Sequence, residues 1–122
     1  MAEHNKLGKD GELTAFMLLQ RDGYNVVHTN WKYQKAEVDI IAKKGSFLIF
    51  VEVKTRGSKK FGKPSDSINK KKISLYKTAA EGYLDRYPSE VEIRFDVINV
   101  IIGKEETEIE QQYASTTVNL NP

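Results

Sequence analysis

Apolar positions recur every three or four residues at the start of the chain, then in alternating or unbroken runs further on. Over residues 7–21, Leu13, Phe16, Met17 and Gln20 share one side, which predicts a helix stopped at Asp22-Gly23. Residues 24–31 (YNVVHTNW) are β-branched and aromatic enough for a strand. The runs at 38–42 and 47–55 flank the turn-like KKGS and predict a hairpin. RGSKKFGKPSDS reads as a loop rich in Gly, Pro and Ser. Residues 67–87 predict a second helix, with Ile68, Leu75, Tyr76, Ala79, Ala80, Tyr83 and Leu84 toward the core and Pro88 ending it. IRFDVINVII, residues 93–102, is a further strong strand. The polar remainder, 103–122, reads as a tail that either frays or adds an edge strand. No internal repeat or low-complexity linker interrupts this series. Helix, three strands, helix, strand predicts an α/β fold, a mixed sheet flanked by helices, in one domain over 1–102.

Three charges break the hairpin's apolar runs: Asp39, Glu52 and Lys54. Alternation along a strand puts Glu52 and Lys54 on one face, about 7 Å apart. With the turn centred on Lys44-Gly45, Asp39 lies across from Phe50. Asp39 and Glu52 are then diagonal neighbours on that same face, their Cβ atoms within about 8 Å. A slip of one residue would separate them. Two readings follow. Like charges this close raise each other's pKa, and a divalent cation relieves the repulsion, because Mg²⁺ is held through one or two carboxylates plus water. Alternatively, Lys54 makes a plain ion pair with Glu52 or with Asp39 near a sheet edge. The spacing D-x12-E-x-K is loose and does not decide between them.

Composition narrows the field. A chain of 122 residues with 39% apolar and 30% charged side chains has ordinary globular balance. It contains no cysteine, so disulfides and thiolate metal sites are excluded. The N-terminal MAEHNKLGKDGE has no apolar segment of the kind a secretion signal needs, and no run approaches the length of a membrane span, so a soluble, cytoplasmic protein is expected. The net charge is only +2, but residues 54–77 carry nine basic side chains against one acidic. Arg56, Lys59, Lys60, Lys63, Lys70, Lys71 and Lys72 belong to this block, which reads either as a footprint for a polyanion or as a solvated loop and helix face.

The remaining motifs add context. Gly8, Gly11, Glu12 and Ala15 form G-x-x-G-E-x-x-A, followed by Gly23-Tyr24 and Asn30. Then come Glu37-Val38-Asp39-Ile40-Ile41, Phe50-Val51-Glu52-Val53-Lys54-x-Arg56, Phe61-Gly62-x-Pro64, Lys72 and Arg94-Phe95-Asp96-Val97-Ile98. Over roughly residues 7–101 this order and spacing resembles the small bacterial YraN-type, endonuclease-like family. More broadly it resembles the PD-(D/E)xK, restriction-endonuclease-like superfamily. Ala36 stands where the family pattern usually has Gly, and Lys32 where it has Arg.

The resemblance implies a nuclease-like core and a Mg²⁺ (or Mn²⁺) site for phosphodiester hydrolysis. Asp39 and Glu52 would hold the ion, with the Val53 carbonyl as a further ligand, and Lys54 would orient a water or stabilise the phosphate. Glu12 matches a position that completes the acidic cluster in related nucleases, or is a helix first-turn acid favoured by the dipole. Lys72 falls at the family's helix lysine, or is one more exposed lysine in a KKK run. DNA, branched DNA of the Holliday-junction kind above all, is the implied partner, and relatives of known activity in the superfamily act as homodimers. The rivals are a non-catalytic nucleic-acid-binding protein that keeps the fold, and a purely structural domain. His4 and His28 read as surface or strand residues and Asp96 as an ion-pair partner of Arg94. Trp31 and Tyr33 read as packing at a strand end, with stacking on bases as the alternative. No Gly-rich phosphate loop, nucleophile elbow or HExxH occurs.

Overall fold

The computed structural model describes residues 2–57 and 70–115, with side chains over 6–57 and 70–112. Seven elements follow in order: α1 (Ala2–Arg21), β1 (Asn25–Tyr33), β2 (Ala36–Lys44), β3 (Phe47–Arg56), α2 (Lys70–Arg86), β4 (Glu92–Ile102) and β5 (Thr107–Ser115). The strands form one sheet in the order β1-β2-β3-β4-β5. All neighbours are antiparallel except β3 and β4, whose parallel pairing needs a crossover, and α2 lies on that crossover. The predicted α/β layout of a mixed sheet flanked by helices is the one observed.

The two central strands are apolar on both faces because each face is covered. On one side Leu48, Phe50, Ile93 and Phe95 pack with Tyr76, Ala79, Ala80 and Tyr83 of α2. On the other, Ile49, Val51, Ile98 and Val100 pack with Ala15 and Leu19 of α1. This two-sided burial is why β3 and β4 read as unbroken apolar runs. Ile68 of the predicted α2 face lies outside the described residues.

α1 docks by a different stripe from the one its apolar spacing suggests. Leu13 and Met17 are each 60% exposed, while Gly11, Ala15 and Leu19 are buried. Small residues decide this: a Cβ on Gly11 would stand 2.7 Å from Thr55 Cγ2 and 2.8 Å from Thr55 Cβ, so the glycine lets the helix touch the end of β3. The helix ends as its sequence predicts. Gly23, at φ 88°, donates from its N–H to the Gln20 carbonyl, and the Tyr24 N–H donates to Leu19, closing a Schellman motif.

The hairpin turn is Gly45-Ser46, with Lys44 paired to Phe47 and Gly45 at φ 60°. A single positive φ at the first central position is the type II′ requirement. At the far sheet edge, the polar tail contributes a true strand, β5, paired antiparallel to β4. Its inward Gln111 is polar because it donates to the Asp96 carboxylate at 2.8 Å, so no apolar alternation marks it in the sequence. Arg94 grips the same carboxylate at 2.9 and 3.0 Å and donates to the Tyr24 hydroxyl at 2.8 Å, the structural ion pair expected for Asp96. Trp31 stacks on Tyr33 with ring centroids 5.8 Å apart and meets Tyr83 edge-on, as strand-end packing requires. His28 packs against the rings of Tyr83 and Tyr87.

Gly11→Ala tests the contact that brings α1 to β3. Helix propensity alone would favour Ala by about 1 kcal/mol, but overpacking costs typically about 1–3 kcal/mol. Urea unfolding is therefore expected to show a net loss, recovered in part by adding Thr55→Ala. A variant more stable than wild type would mean that the helix is not held at this distance.

Candidate functional site

The site grows from a fault in β2. Ile41 and Val38, three residues apart, both belong to the α2-side core, whereas Ile40 belongs to the α1 side. Strict alternation cannot do this, so the strand resets its facing between Val38 and Ile40, at Asp39. The β2–β3 ladder runs from the turn to Ile40–Val51 and stops there, while β2 stays paired with β1 through Trp31–Val38. β2 thus peels away from β3, and the Val53 N–H of β3 donates to Asp39 Oδ2 at 2.8 Å. On β1, Asn30 drops out of the ladder at the same level with φ 50°.

The pairing differs from the register predicted by the sequence. Ile41, not Asp39, faces Phe50, because the turn is centred one residue later. The shift is two residues in the pairing, which keeps the facing of Ile40 to Lys44, while the break at Asp39 frees that residue from the alternation. The ladder ends at Ile40–Val51, so Asp39 has no cross-strand partner on β3 and meets it instead through the Val53 N–H. The two carboxylates meet electrostatically: Glu52 is among the groups that raise the Asp39 pKa.

Glu52 is 4% exposed, on the α2 side of β3. Its Oε1 lies 3.0 Å from Lys72 Nζ and 3.5 Å from Lys54 Nζ, and its Oε2 is buried with no hydrogen-bond partner. The predicted Glu52–Lys54 pair is present, and Lys72 of α2 is brought to the same carboxylate. Asp39 also borders a groove of about 290 Å³ on the α1 side, lined by Lys9, Glu12, Leu13, Phe16, Thr29, Asn30 and Ile40. Glu12 sits in mid-helix, since α1 begins at Ala2, so a first-turn dipole role does not apply.

Burial is the main reason that the Asp39 carboxyl is pushed up from 3.8 to about 6. The Val53 N–H lowers it, Glu12 and Glu52 raise it, and Lys72 lowers it. The Tyr76 hydroxyl, buried beside the same charges, is raised by its burial and by Glu52 and Asp39. Sequence reading missed Tyr76 because its place in an apolar stripe marks it as core. Glu12, Asp39, Glu52, Lys54 and Lys72 therefore converge on the open end of β2 and β3. Lys70 and Lys71 are exposed on α2, and Arg56 is half-buried at the end of β3. Lys59, Lys60 and Lys63 lie outside the described residues.

Asp39 and Glu52 supply oxygen donors of the kind a hard divalent cation takes. Asp39, whose charged form burial disfavours, and the unpaired Glu52 Oε2 are both groups that a cation would stabilise. Among the described residues, no three His, Cys, Asp or Glu side chains form a ready cage, so the arrangement offers two carboxylates and not three.

A family model described as "Uncharacterised protein family UPF0102" matches residues 11–100. The chain belongs to UPF0102. It is 48% identical over 110 residues to a UPF0102 protein of Flavobacterium psychrophilum, covering 90% of this chain and 92% of that one. With a UPF0102 protein of Christiangramia forsetii the identity is 47% over the same length and coverage. With one of Bacteroides thetaiotaomicron it is 43% over 101 residues, 83% of this chain and 84% of the relative. The UPF0102 match opens at Gly11, against Thr55, and closes within β4, so it contains all five converging residues and excludes β5.

The raised Asp39 pKa gives this protein a pH signature. Between pH 4 and 6 the native carboxyl keeps a proton that the unfolded chain releases, so this group's stabilisation is present below pH 4 and lost as pH rises through 6. Asp39→Asn cannot ionise and escapes that loss. The stability difference between variant and wild type is expected to open by about 1–2 kcal/mol from pH 4 to pH 7. Urea denaturation across this range without divalent ions checks it; a constant difference would mean that Asp39 titrates as an ordinary aspartate.

Proposed function

We propose that this UPF0102 protein is a divalent-cation-dependent DNA endonuclease of the PD-(D/E)xK kind. The observation that carries the reading is the meeting of Asp39 and Glu52 where β2 peels from β3, with Lys54 and Lys72 on Glu52. Asp39 and Glu52, with the Val53 carbonyl, would hold Mg²⁺ or Mn²⁺. Once bound, the ion supplies an activated water and neutralises charge developing on the phosphate. Lys54 projects from the same face as Glu52 and offers a cation to the phosphoryl oxygens. Lys72 balances the buried Glu52. Glu12 stands across the groove from Asp39, where a second carboxylate favours an approaching cation. Arg56, Lys59, Lys60, Lys63, Lys70 and Lys71 would follow the DNA backbone. Branched DNA is the substrate class to try first, and two copies acting together would address two strands.

A second reading rests on the two lysines already at Glu52 Oε1 and the absence of a three-carboxylate group among the described residues. In it, the protein binds nucleic acid through its basic segment and does not cut. The two readings part on variants at the site. Glu52→Gln is expected to abolish Mg²⁺ binding and cleavage while DNA binding survives. Lys54→Ala is expected to keep metal binding and to lose cleavage by about 10²-fold, since its charge is needed chiefly in the transition state. Cleavage of linear, nicked, flapped and four-way DNA with Mg²⁺ and with Mn²⁺ checks both. Wild-type protein that binds this panel but cuts none of it supports the binding module.

The basic segment has its own signature. If it neutralises phosphates, log affinity falls with log salt by about 0.9 for each contact. Replacing Lys59, Lys60 and Lys63 with Gln is expected to flatten that slope and to weaken binding to all sequences alike, as fluorescence anisotropy against salt would show. An unchanged slope returns these lysines to an ordinary solvated surface.

A further inference from the structure

Among the described residues, three buried side-chain polar atoms have no hydrogen-bond partner: Glu52 Oε2 and both amide atoms of Asn99, Oδ1 and Nδ2. They lie on neighbouring strands. β3 and β4 run parallel with Glu52 beside Val97 and Lys54 beside Asn99, so Asn99 adjoins Lys54 on the α2 face, one step past Glu52. Neighbouring strands lie about 4.8 Å apart, within reach of a lysine stem and a short amide. Asn99 is 2% exposed in the otherwise apolar end of β4, INVII.

An apolar residue of similar size would avoid the cost of burying an unpaired amide. The other buried polar group on β4 shows the contrast, since Asp96 is bonded to both Arg94 and Gln111. Lys54 is the cation that the strand register places beside Asn99. Its Nζ stands 3.5 Å from Glu52 Oε1, a looser contact than the 3.0 Å of Lys72, and its side chain is 38% exposed. Any cation that takes Glu52 competes with this looser contact first.

We propose that Asn99 is a positioning residue for Lys54: when the Glu52 charge is taken up, the Lys54 ammonium passes from Glu52 to the Asn99 amide oxygen. In the free protein the amide waits without a partner and Lys54 shares Glu52. With Glu52 engaged, the flexible ammonium is held beside β4 by a neutral acceptor, so its charge remains available to a phosphate oxygen. The inference rests on the cation-dependent reading for its purpose, but the transfer itself needs neither ion nor DNA, because removing the Glu52 charge triggers it.

Metal-free Glu52→Gln is therefore the first test. The side-chain amide signals of Asn99, identified by their loss in Asn99→Leu, are expected to shift between wild type and Glu52→Gln. Adding Lys54→Met is expected to abolish that shift. An amide that does not move, or moves equally without Lys54, overturns the proposal and marks an amide satisfied by buried water. The second test is Asn99→Leu in cleavage: Mg²⁺ affinity and melting temperature hold or rise, while cleavage falls about tenfold, or about 1.4 kcal/mol in the barrier. Cleavage equal to wild type, or a loss matched by a fall in melting temperature, overturns it as well. Wild type that neither binds Mg²⁺ nor cuts removes the nuclease reading, and the transfer is then decided by the amide signals alone.

Discussion

Where β2 leaves β3 after the Ile40–Val51 pair, the β3 backbone would face the departing strand with an unpaired donor, and the Asp39 carboxylate takes it at 2.8 Å. A buried N–H without a partner costs about 1–3 kcal/mol, so this contact permits the sheet to open without that penalty. It also ties the Asp39 carboxylate to the β3 backbone one residue past Glu52. Asn30, leaving the β1 ladder at the same level, completes the opening. The groove and the exposure of Asp39 to the charges of Glu12 and Glu52 go with this substitution of a side chain for a neighbouring strand, while burial lifts the Asp39 pKa against the lowering by the Val53 N–H.

The opening is placed between two helices that dock for different reasons. α1 comes close through Gly11 and Ala15, which carries Glu12 to the Asp39 side. α2 is fixed by the right-angled packing of Tyr76 and Tyr83 on Phe95 and Phe50, which carries Lys72 to Glu52. The acidic residues are thus reached from both faces of one sheet. Each of these charges is carried by a helix or a strand and not by a loop, so the backbones that present them are fixed.

Two buried polar groupings in the same sheet behave differently. Arg94, Asp96, Tyr24 and Gln111 satisfy one another and tie β4 to β5 and to the end of α1. The grouping around Glu52 is left incomplete, with unpaired atoms on Glu52 and Asn99 and a carboxyl on Asp39 raised toward neutrality. A satisfied network stabilises a fold, whereas an unsatisfied one in a well-packed sheet is a place where another group can bind.

The sequence by itself determined both helices, the first four strands and the segment that carries the charges, because those depend on local periodicity and on turn residues such as Gly23 and Gly45. It also singled out Asp39, Glu52 and Lys54, since charges in apolar runs stand out whatever the fold. Pairing across the hairpin, the stripe by which α1 docks, and β5 were decided only in three dimensions. The turn could form one residue later at little local cost; the small Gly11 and Ala15 outweighed the exposed Leu13 and Met17 because close approach buries more surface; β5 is held by backbone pairing and a polar Gln111, which leave no apolar signature. The Lys72 contact with Glu52 and the place of Asn99 beside Lys54 were likewise decided only in three dimensions, since they lie on different elements and the parallel register of β3 and β4 exists only once α2 has crossed the sheet.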